Sequence, residues 1–370
     1  MDAVRGLCTT SIVALHAATP YVALDLPHLL WPVVERGAFG WADWLFWTVR
    51  CFSRGTLFLI AGFASMAILE KLGPREFLRR RATRLAIPLV AGAITVLPLM
   101  YQVWAWGWVR SGLATPSNIL HIRFKHGIQP ELYGFGHLWF LWYLLLVSVV
   151  VALVAMWLPR LRLSDRVCGW VVSAPLRTLA IAVPVALVVR YSPEAIFDFR
   201  NGFIPRLDFL AYHLPFFFVG ACMYRVRDRL AALTRWWWVE LLLVGAVVPV
   251  LMRALGERVT GGTESQALAA ACIGVVGGLM SCGLIGWSAS TVPPRGGAWR
   301  WLAARSFFIY FWHLPFVGLA HIALYQVAVP VVVKVAVSFA LGVLGAAGVY
   351  RVLKGTRLMQ YFGESGKAHG

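Results

Sequence analysis

The sequence predicts an all-α fold, a polytopic membrane bundle of about ten transmembrane helices with both termini cytoplasmic. Of its 370 residues, 60% are hydrophobic and 14% are charged, whereas about a quarter of the residues in a soluble domain are charged. Apolar runs recur along the whole chain, and arginines are concentrated in the connections between them. We therefore expect residues 1–370 to form a single integral membrane domain.

Candidate spans follow from length, because roughly 20 apolar residues cross the hydrocarbon core of a bilayer. The shortest candidate, 176–190, is marginal by this criterion. With the N-terminus inside, the basic clusters at 79–84 and 225–235 fall on the inner side, which agrees with the positive-inside rule. The candidate segments are residues 6–24, 44–69, 85–108, 137–158, 176–190, 207–224, 237–255, 267–290, 302–325 and 328–350.

The cysteines and the net charge restrict the possible partners. Six cysteines lie scattered, mostly inside apolar runs and without a CxxC pair, so we expect small buried thiols and no metal site. The formal net charge of +18 comes from arginines between apolar runs. That placement is typical of contact with an anionic inner leaflet, and we expect no nucleic-acid partner.

The first apolar segment carries the clearest chemical signal. If it is a helix, Arg5 and His16 are eleven residues and roughly 1100° apart, which returns them to within about 20° on one face, roughly 16 Å apart along the axis. His16 would then lie near the middle of the membrane, where burial favours the neutral ring that a general base requires. Two other interpretations are a histidine that only bonds a neighbouring helix and a signal peptide ending near Ala17. A histidine inside the apolar core of a signal peptide would be unusual.

Further polar groups sit at span ends or inside spans, where they are costly and therefore candidates for function. Arg81 and Arg84 are three residues apart and share a helix face, so they suit a polyphosphate ligand, although positive-inside bias also explains them. His137 and Trp139 open the span at 137–158. In the late span, hydrogen bonding between helices is the alternative to function. Its polar residues share one face at offsets of four and seven and are Ser306, Tyr310 and His313.

These pieces together resemble the acyltransferase-3 family of integral membrane O-acyltransferases. The resemblance rests on five stretches in order, from MDAVRGL through His16 to the late SFFIYFWHLPF. The HLWFLWYLL form is most similar to the branch that includes the glucan succinyl-transferring C protein of osmoregulated periplasmic glucan synthesis. The three stretches between are FLIAGF at 58–63, GPREFLRRRATRLAIPL at 73–89 and GHLWFLWYLLL from 136.

The resemblance implies an enzyme that takes an acetyl or succinyl group from acyl-CoA on the cytoplasmic side. The acceptor would be a hydroxyl of a cell-envelope glycan or similar molecule, and no cofactor would be permanently bound. The family's essential pair matches Arg5 and His16, and its inner Arg-x-x-Arg element matches Arg81 and Arg84. Before FLIAGF the family has an arginine, an apolar residue and a proline. Here the chain reads Ser-Arg-Gly, so Arg54 is a possible site residue. The recurrent family positions whose roles are less settled are His137, Ser306 and His313.

The resulting hypothesis places the CoA phosphates on Arg5, Arg81 and Arg84 and makes His16 the general base. Polar groups on the late span would stabilise the oxyanion. A transporter or flippase of an envelope glycan precursor, and a non-catalytic subunit of an envelope complex, are the alternatives. An acyl-enzyme route is a variant of the first hypothesis. We expect a bacterial inner-membrane protein. The sequence does not decide which acceptor is used, whether the acyl group is acetyl or succinyl, or how many copies of the chain assemble.

Overall fold

The computed structural model describes residues 1–37, 40–121, 133–158, 164–199, 202–257, 262–291 and 297–362. Within these ranges the chain forms fifteen α-helices joined by short 3₁₀ and π turns and no β-strand, which confirms the all-α prediction. The helices are α1 (Asp2–Ala18), α2 (Gly40–Arg81), α3 (Ile87–Ile94), α4 (Val96–Arg110), α5 (Pro116–Leu120), α6 (Trp139–Trp157), α7 (Asp165–Val172), α8 (Leu176–Tyr191), α9 (Glu194–Phe197), α10 (Leu207–Arg225), α11 (Leu230–Leu233), α12 (Trp237–Glu257), α13 (Thr263–Thr291), α14 (Gly297–Leu324) and α15 (Val331–Leu353).

The helix lengths make this a multi-pass membrane protein. Among the described residues, 7 helical stretches are long and apolar enough to cross a membrane, or up to 8 if α7 and α8, bent by 81°, form one span. The longest stretch, Gly40–Arg110, contains two of the predicted spans and is interrupted at Gly73, whose φ is 76°. The first predicted span becomes α1, which has only 17 residues. The count of about ten spans and the cytoplasmic placement of the termini therefore stay predictions.

Helix α1 lies at the junction of two hydrophobic clusters. Its Val4 and Leu15 belong to a cluster formed mainly by α2, α6, α8, α10, α12 and α13. Its Val13 belongs to a second cluster formed by α3, α4, α14 and α15. All six cysteines are buried free thiols within the first cluster, as predicted. The polar residues of α1 are consequently placed between two packed groups of helices.

Close packing of α2 against α10 fixes the helix that carries Arg54. A Cβ added at Gly62 would lie 2.0 Å from the carbonyl oxygen of Phe217, and one at Gly220 would lie 1.9 Å from that of Leu59. Only glycine allows the backbones to approach this closely, as is common between membrane helices. The FLIAGF stretch is thus a helix-packing element that positions α2.

A buried ion pair joins α8 to α12. The Arg177 Nε–H donates to Glu240 Oε1 at 2.9 Å, and the two side chains are 0% and 9% exposed. Arg177 also donates to the Leu233 carbonyl at 2.6 Å, and the Thr178 hydroxyl donates to Glu240. Removing one partner would leave an uncompensated buried charge, so we treat this pair as structural.

Candidate active site

Two histidines from the two ends of the chain meet in the interior. His16 on α1 and His313 on α14 place Nδ1 and Nε2, respectively, 2.8 Å apart, and their rings stack with centroids separated by 5.0 Å. One side of this pair is covered by Trp31, which stacks on His16 at 5.8 Å. The two histidines singled out by the sequence therefore form one unit.

Backbone carbonyls determine which nitrogen of each ring carries hydrogen. His313 Nδ1 lies 2.8 Å from the Tyr310 carbonyl oxygen and 3.0 Å from that of Ile309. A carbonyl oxygen only accepts, so His313 Nδ1 must donate, and its Nε2 then accepts the Nδ1–H of His16. The remaining nitrogen, His16 Nε2, keeps its lone pair. This is the tautomer that a general base needs.

His16 lies at the edge of a cavity of about 130 Å³, which we call the histidine cavity. His16 itself is partly exposed, whereas His313 is 0% exposed and lies behind it. The lining includes Trp31, Arg50 and Phe140 as well as five residues singled out by the sequence, which are His16, Arg54, His137, Trp139 and Tyr310.

The predicted CoA-binding arginines line a second and larger cavity of about 350 Å³, which we call the arginine pocket. Arg5 is held there by α14, because its Nε–H donates to Ser306 Oγ at 3.1 Å and its Nη2 donates to the Ala303 carbonyl at 2.9 Å. The polar residues of its described lining are Arg5, Thr9, Arg81, Arg84, Ser306 and Tyr310.

Arg81 and Arg84 are brought to this pocket by the π turn at Ala82–Ala86. Arg81 donates to Ser65 Oγ at 2.7 Å and to the Ala61 carbonyl at 3.3 Å, which ties the end of α2 back to its part before the interruption at Gly73. Arg84 is exposed. The neighbouring Arg79 and Arg80 both pair with Glu76 instead. Arg84 is therefore the more available cation of the Arg-x-x-Arg pair.

The two cavities share a wall made of two aromatic side chains. Phe140 and Tyr310 line both cavities, and their ring centroids are 5.9 Å apart. The Tyr310 hydroxyl donates to the carbonyl of His137, which fixes the position of the ring. A ligand that extends from the arginine pocket to His16 would pass at this wall.

The remaining predicted residues divide between the two cavities. Ser306 lies in the arginine pocket and donates to the Ala303 carbonyl at 2.8 Å, so the structure does not bring it next to His16. His137 donates from Nε2 to the Phe311 carbonyl at 3.0 Å. The hydroxyl protons of Ser306 and Tyr310 are both already donated to carbonyls. An oxyanion role for Ser306, Tyr310 or His313 stays a prediction, and this geometry does not favour it.

Sequence reasoning missed Trp31, Phe140 and Arg50. Arg50 stands four residues before Arg54 within a predicted span, and a second intramembrane cation is itself a signal of function. Trp31 is oriented by His321, which accepts its Nε1–H at 3.1 Å and donates to the Ala17 carbonyl. No pattern marks Trp31, because it lies in a non-helical segment.

Taken together, the fold and the site define a multi-pass membrane protein in which an interior histidine pair lies beside a cationic pocket. More specifically, the chain belongs to the acyltransferase-3 family, whose sequence model, described as an acyltransferase domain, matches residues 1–351. This confirms the resemblance and supports membrane acyl transfer as the general activity. The match is to the family as a whole, so placement in the glucan-succinylating branch stays a prediction. No curated protein and no solved structure matches the chain.

Proposed function

We propose that this protein is an acyl-CoA-dependent O-acyltransferase of the bacterial inner membrane. It moves an acetyl or succinyl group from CoA on the cytoplasmic side to a hydroxyl of a cell-envelope glycan or similar acceptor. The observation that carries the proposal is the pair of adjoining cavities, one lined by Arg5, Arg81 and Arg84 and one containing His16, which share Phe140 and Tyr310 in their described linings.

The arginine pocket suits the phosphates of CoA. Guanidinium groups bind phosphate oxygens through paired, charge-assisted hydrogen bonds. Arg5 and Arg84 are both exposed. The Nε and Nη2 groups of Arg5 already contact Ser306, Ala303 and Asp2, so its Nη1 group is the donor that faces a ligand among the described contacts.

Arg5 and His16 are eleven residues apart on α1, or about 16 Å along the axis. The pantetheine arm spans this distance at the wall formed by Phe140 and Tyr310, whose contacting rings must shift to admit it.

His16 Nε2 supplies the base. It accepts the proton of the acceptor hydroxyl while that oxygen attacks the thioester carbonyl. The carbon–sulfur bond then breaks, the new ester forms, and the CoA thiolate takes the proton from the His16 imidazolium. His313 remains neutral throughout and accepts the Nδ1–H of His16, which holds the ring in the productive tautomer and orientation.

Purified protein incubated with acetyl-CoA or succinyl-CoA and an envelope glycan extract tests the proposal. We expect free CoA thiol to appear in proportion to glycan that gains the mass of the acyl group by mass spectrometry. A transporter or flippase would instead move glycan across a vesicle membrane without thiol release. Thiol release without any modified acceptor would also contradict the assignment.

A matched pair of variants separates the role of His16 from a general effect on folding. His16→Gln removes the base, and we expect transfer to fall by about 10²–10⁴-fold. His213→Gln is the control, because His213 is a buried histidine outside the described linings of both cavities and hydrogen-bonds only the Phe209 carbonyl of its own helix among the described residues. Stable label on the protein in the absence of acceptor would favour an acyl-enzyme instead.

A further inference from the structure

The histidine cavity contains two cations that the proposed proton transfer does not use. Arg50 and Arg54 are one helical turn apart on α2 and therefore share a face. Both line the cavity that holds His16, and Arg50 is only 4% exposed. Charged side chains inside a membrane protein are costly and are retained where a ligand or counter-ion needs them.

Neutral groups hold both guanidinium groups in place. The Arg50 Nε–H donates to the Ile196 carbonyl at 2.7 Å, and its guanidinium lies 3.8 Å from the Phe199 ring centroid. Arg54 donates to the Arg50 carbonyl at 3.4 Å and lies 5.7 Å from the Trp139 ring. These contacts orient the side chains without neutralising either charge.

No carboxylate of the described residues forms an ion pair with Arg50 or Arg54. Asp198 is an acidic residue on the described lining of the cavity, and its Oδ2 pairs with Arg206 Nη1 at 3.0 Å. Arg206 pairs in turn with Asp208. Arg50, which is buried, and Arg54, which is half-buried, thus face a cavity whose acidic side chain, Asp198, lies near enough to favour the charge of Arg50 but pairs with Arg206. A buried charge without a paired partner is strongly unfavourable.

We propose that Arg50 and Arg54 form a carboxylate-binding site within the histidine cavity, so that either the transferred acyl group or the acceptor carries a carboxylate. This inference builds on the proposed function. The carboxylate belongs either to the distal end of a dicarboxylic acyl group on CoA or to an acidic acceptor such as a uronic-acid sugar. In both cases the planar guanidinium fork binds the two carboxylate oxygens together, which a lysine cannot reproduce.

Binding is tested first without any transfer reaction. Free succinate is titrated into the full-length protein in lipid nanodiscs, with tryptophan fluorescence as the signal because Trp139 lies beside Arg54. Succinamide, its neutral diamide, is the matched probe. We expect saturable binding of succinate and none of succinamide at the same concentrations. Equal responses to both probes, or none, would overturn the inference.

Arg54→Gln is the informative variant, because the contact of Arg54 with the Arg50 carbonyl is long and its loss should not disturb the fold. We expect it to weaken succinate binding by about 10- to 100-fold, the range for a charge-assisted hydrogen bond. Arg54→Lys keeps the positive charge but lacks the guanidinium fork, so it should retain only part of the native affinity for succinate. The control Arg190→Gln changes an arginine of α8 that does not line the cavity, and it should leave binding unchanged. Unaltered binding in Arg54→Gln would place the anion elsewhere.

Transfer assays then identify the source of the carboxylate. If the acyl group provides it, Arg54→Gln lowers kcat/KM for succinyl-CoA about tenfold or more relative to acetyl-CoA with the same neutral glucan. If the acceptor provides the carboxylate, Arg54→Gln lowers kcat/KM for a uronic-acid oligosaccharide about tenfold or more relative to its carboxyl-reduced form. Transfer that shows neither preference contradicts the inference while the proposed function stands. Arg54-dependent succinate binding without any acyl transfer would support the carboxylate-binding site and contradict the proposed function.

Discussion

Replacing His313 tests whether it positions His16. His313→Phe keeps a ring of similar size but removes the acceptor that lies 2.8 Å from His16 Nδ1. The His16 Nδ1–H then has no partner, and nothing selects the tautomer in which Nε2 is basic. Leaving a buried donor unsatisfied costs about 1–3 kcal/mol, which corresponds to a rate loss of about 5- to 150-fold.

The assay is release of free CoA thiol by purified protein with acyl-CoA and acceptor. We expect His313→Phe to lower kcat and to leave KM for acyl-CoA nearly unchanged, because His313 does not line the arginine pocket. His313→Gln offers an amide oxygen to the His16 Nδ1–H and should recover part of the rate. His213→Phe is the control for inserting a phenylalanine at a buried histidine. A folded His313→Phe protein with the native kcat would refute the positioning role.

Three further predictions concern the arginine pocket and the packing of the bundle. Arg84→Gln should raise KM for acyl-CoA by about tenfold with kcat little changed. An unchanged KM in steady-state assays would contradict CoA binding by Arg84 and leave only the positive-inside bias to explain it. Gly62→Ala should destabilise the protein by about 1–3 kcal/mol, since its Cβ would overlap a carbonyl of α10. Gly245→Ala, with nothing within 4 Å of its Cβ, should leave the thermal midpoint unchanged, and equal midpoints for the two variants would contradict the packing argument. Arg177→Met should cost about 3–5 kcal/mol by leaving Glu240 unpaired, with partial recovery on adding Glu240→Met. If denaturation shows the double variant to be less stable than Arg177→Met alone, an unpaired Glu240 is not the cause of the loss.

The sequence predicted the contents of the site better than their arrangement. The sequence paired Arg81 with Arg84, which both line the arginine pocket, and singled out His16 and His313 as intramembrane polar groups. It did not show that α1 and α14 lie side by side, because residues about 300 positions apart give no periodic signal. Their contact is a matter of tertiary packing between two hydrophobic clusters.

A shared helix face also proved insufficient to place residues in one cavity. Ser306 and His313 lie on the same face of α14, yet seven residues correspond to about 10 Å along the axis. That distance is enough to put Ser306 in the arginine pocket and His313 behind the histidine cavity, with Tyr310 between them in the shared wall. An oxyanion donor next to His16 therefore did not follow from the face that the sequence identified.

The central claim is that His16 Nε2 is the proton acceptor in acyl transfer to a hydroxyl. Its most direct test measures acyl-CoA binding and acyl transfer on the same purified His16→Gln sample. We predict native-like affinity for acyl-CoA, because the arginine pocket is untouched, together with a rate of ester formation lower by about 10²–10⁴-fold. Ester formation at close to the native rate in that sample would contradict the claim.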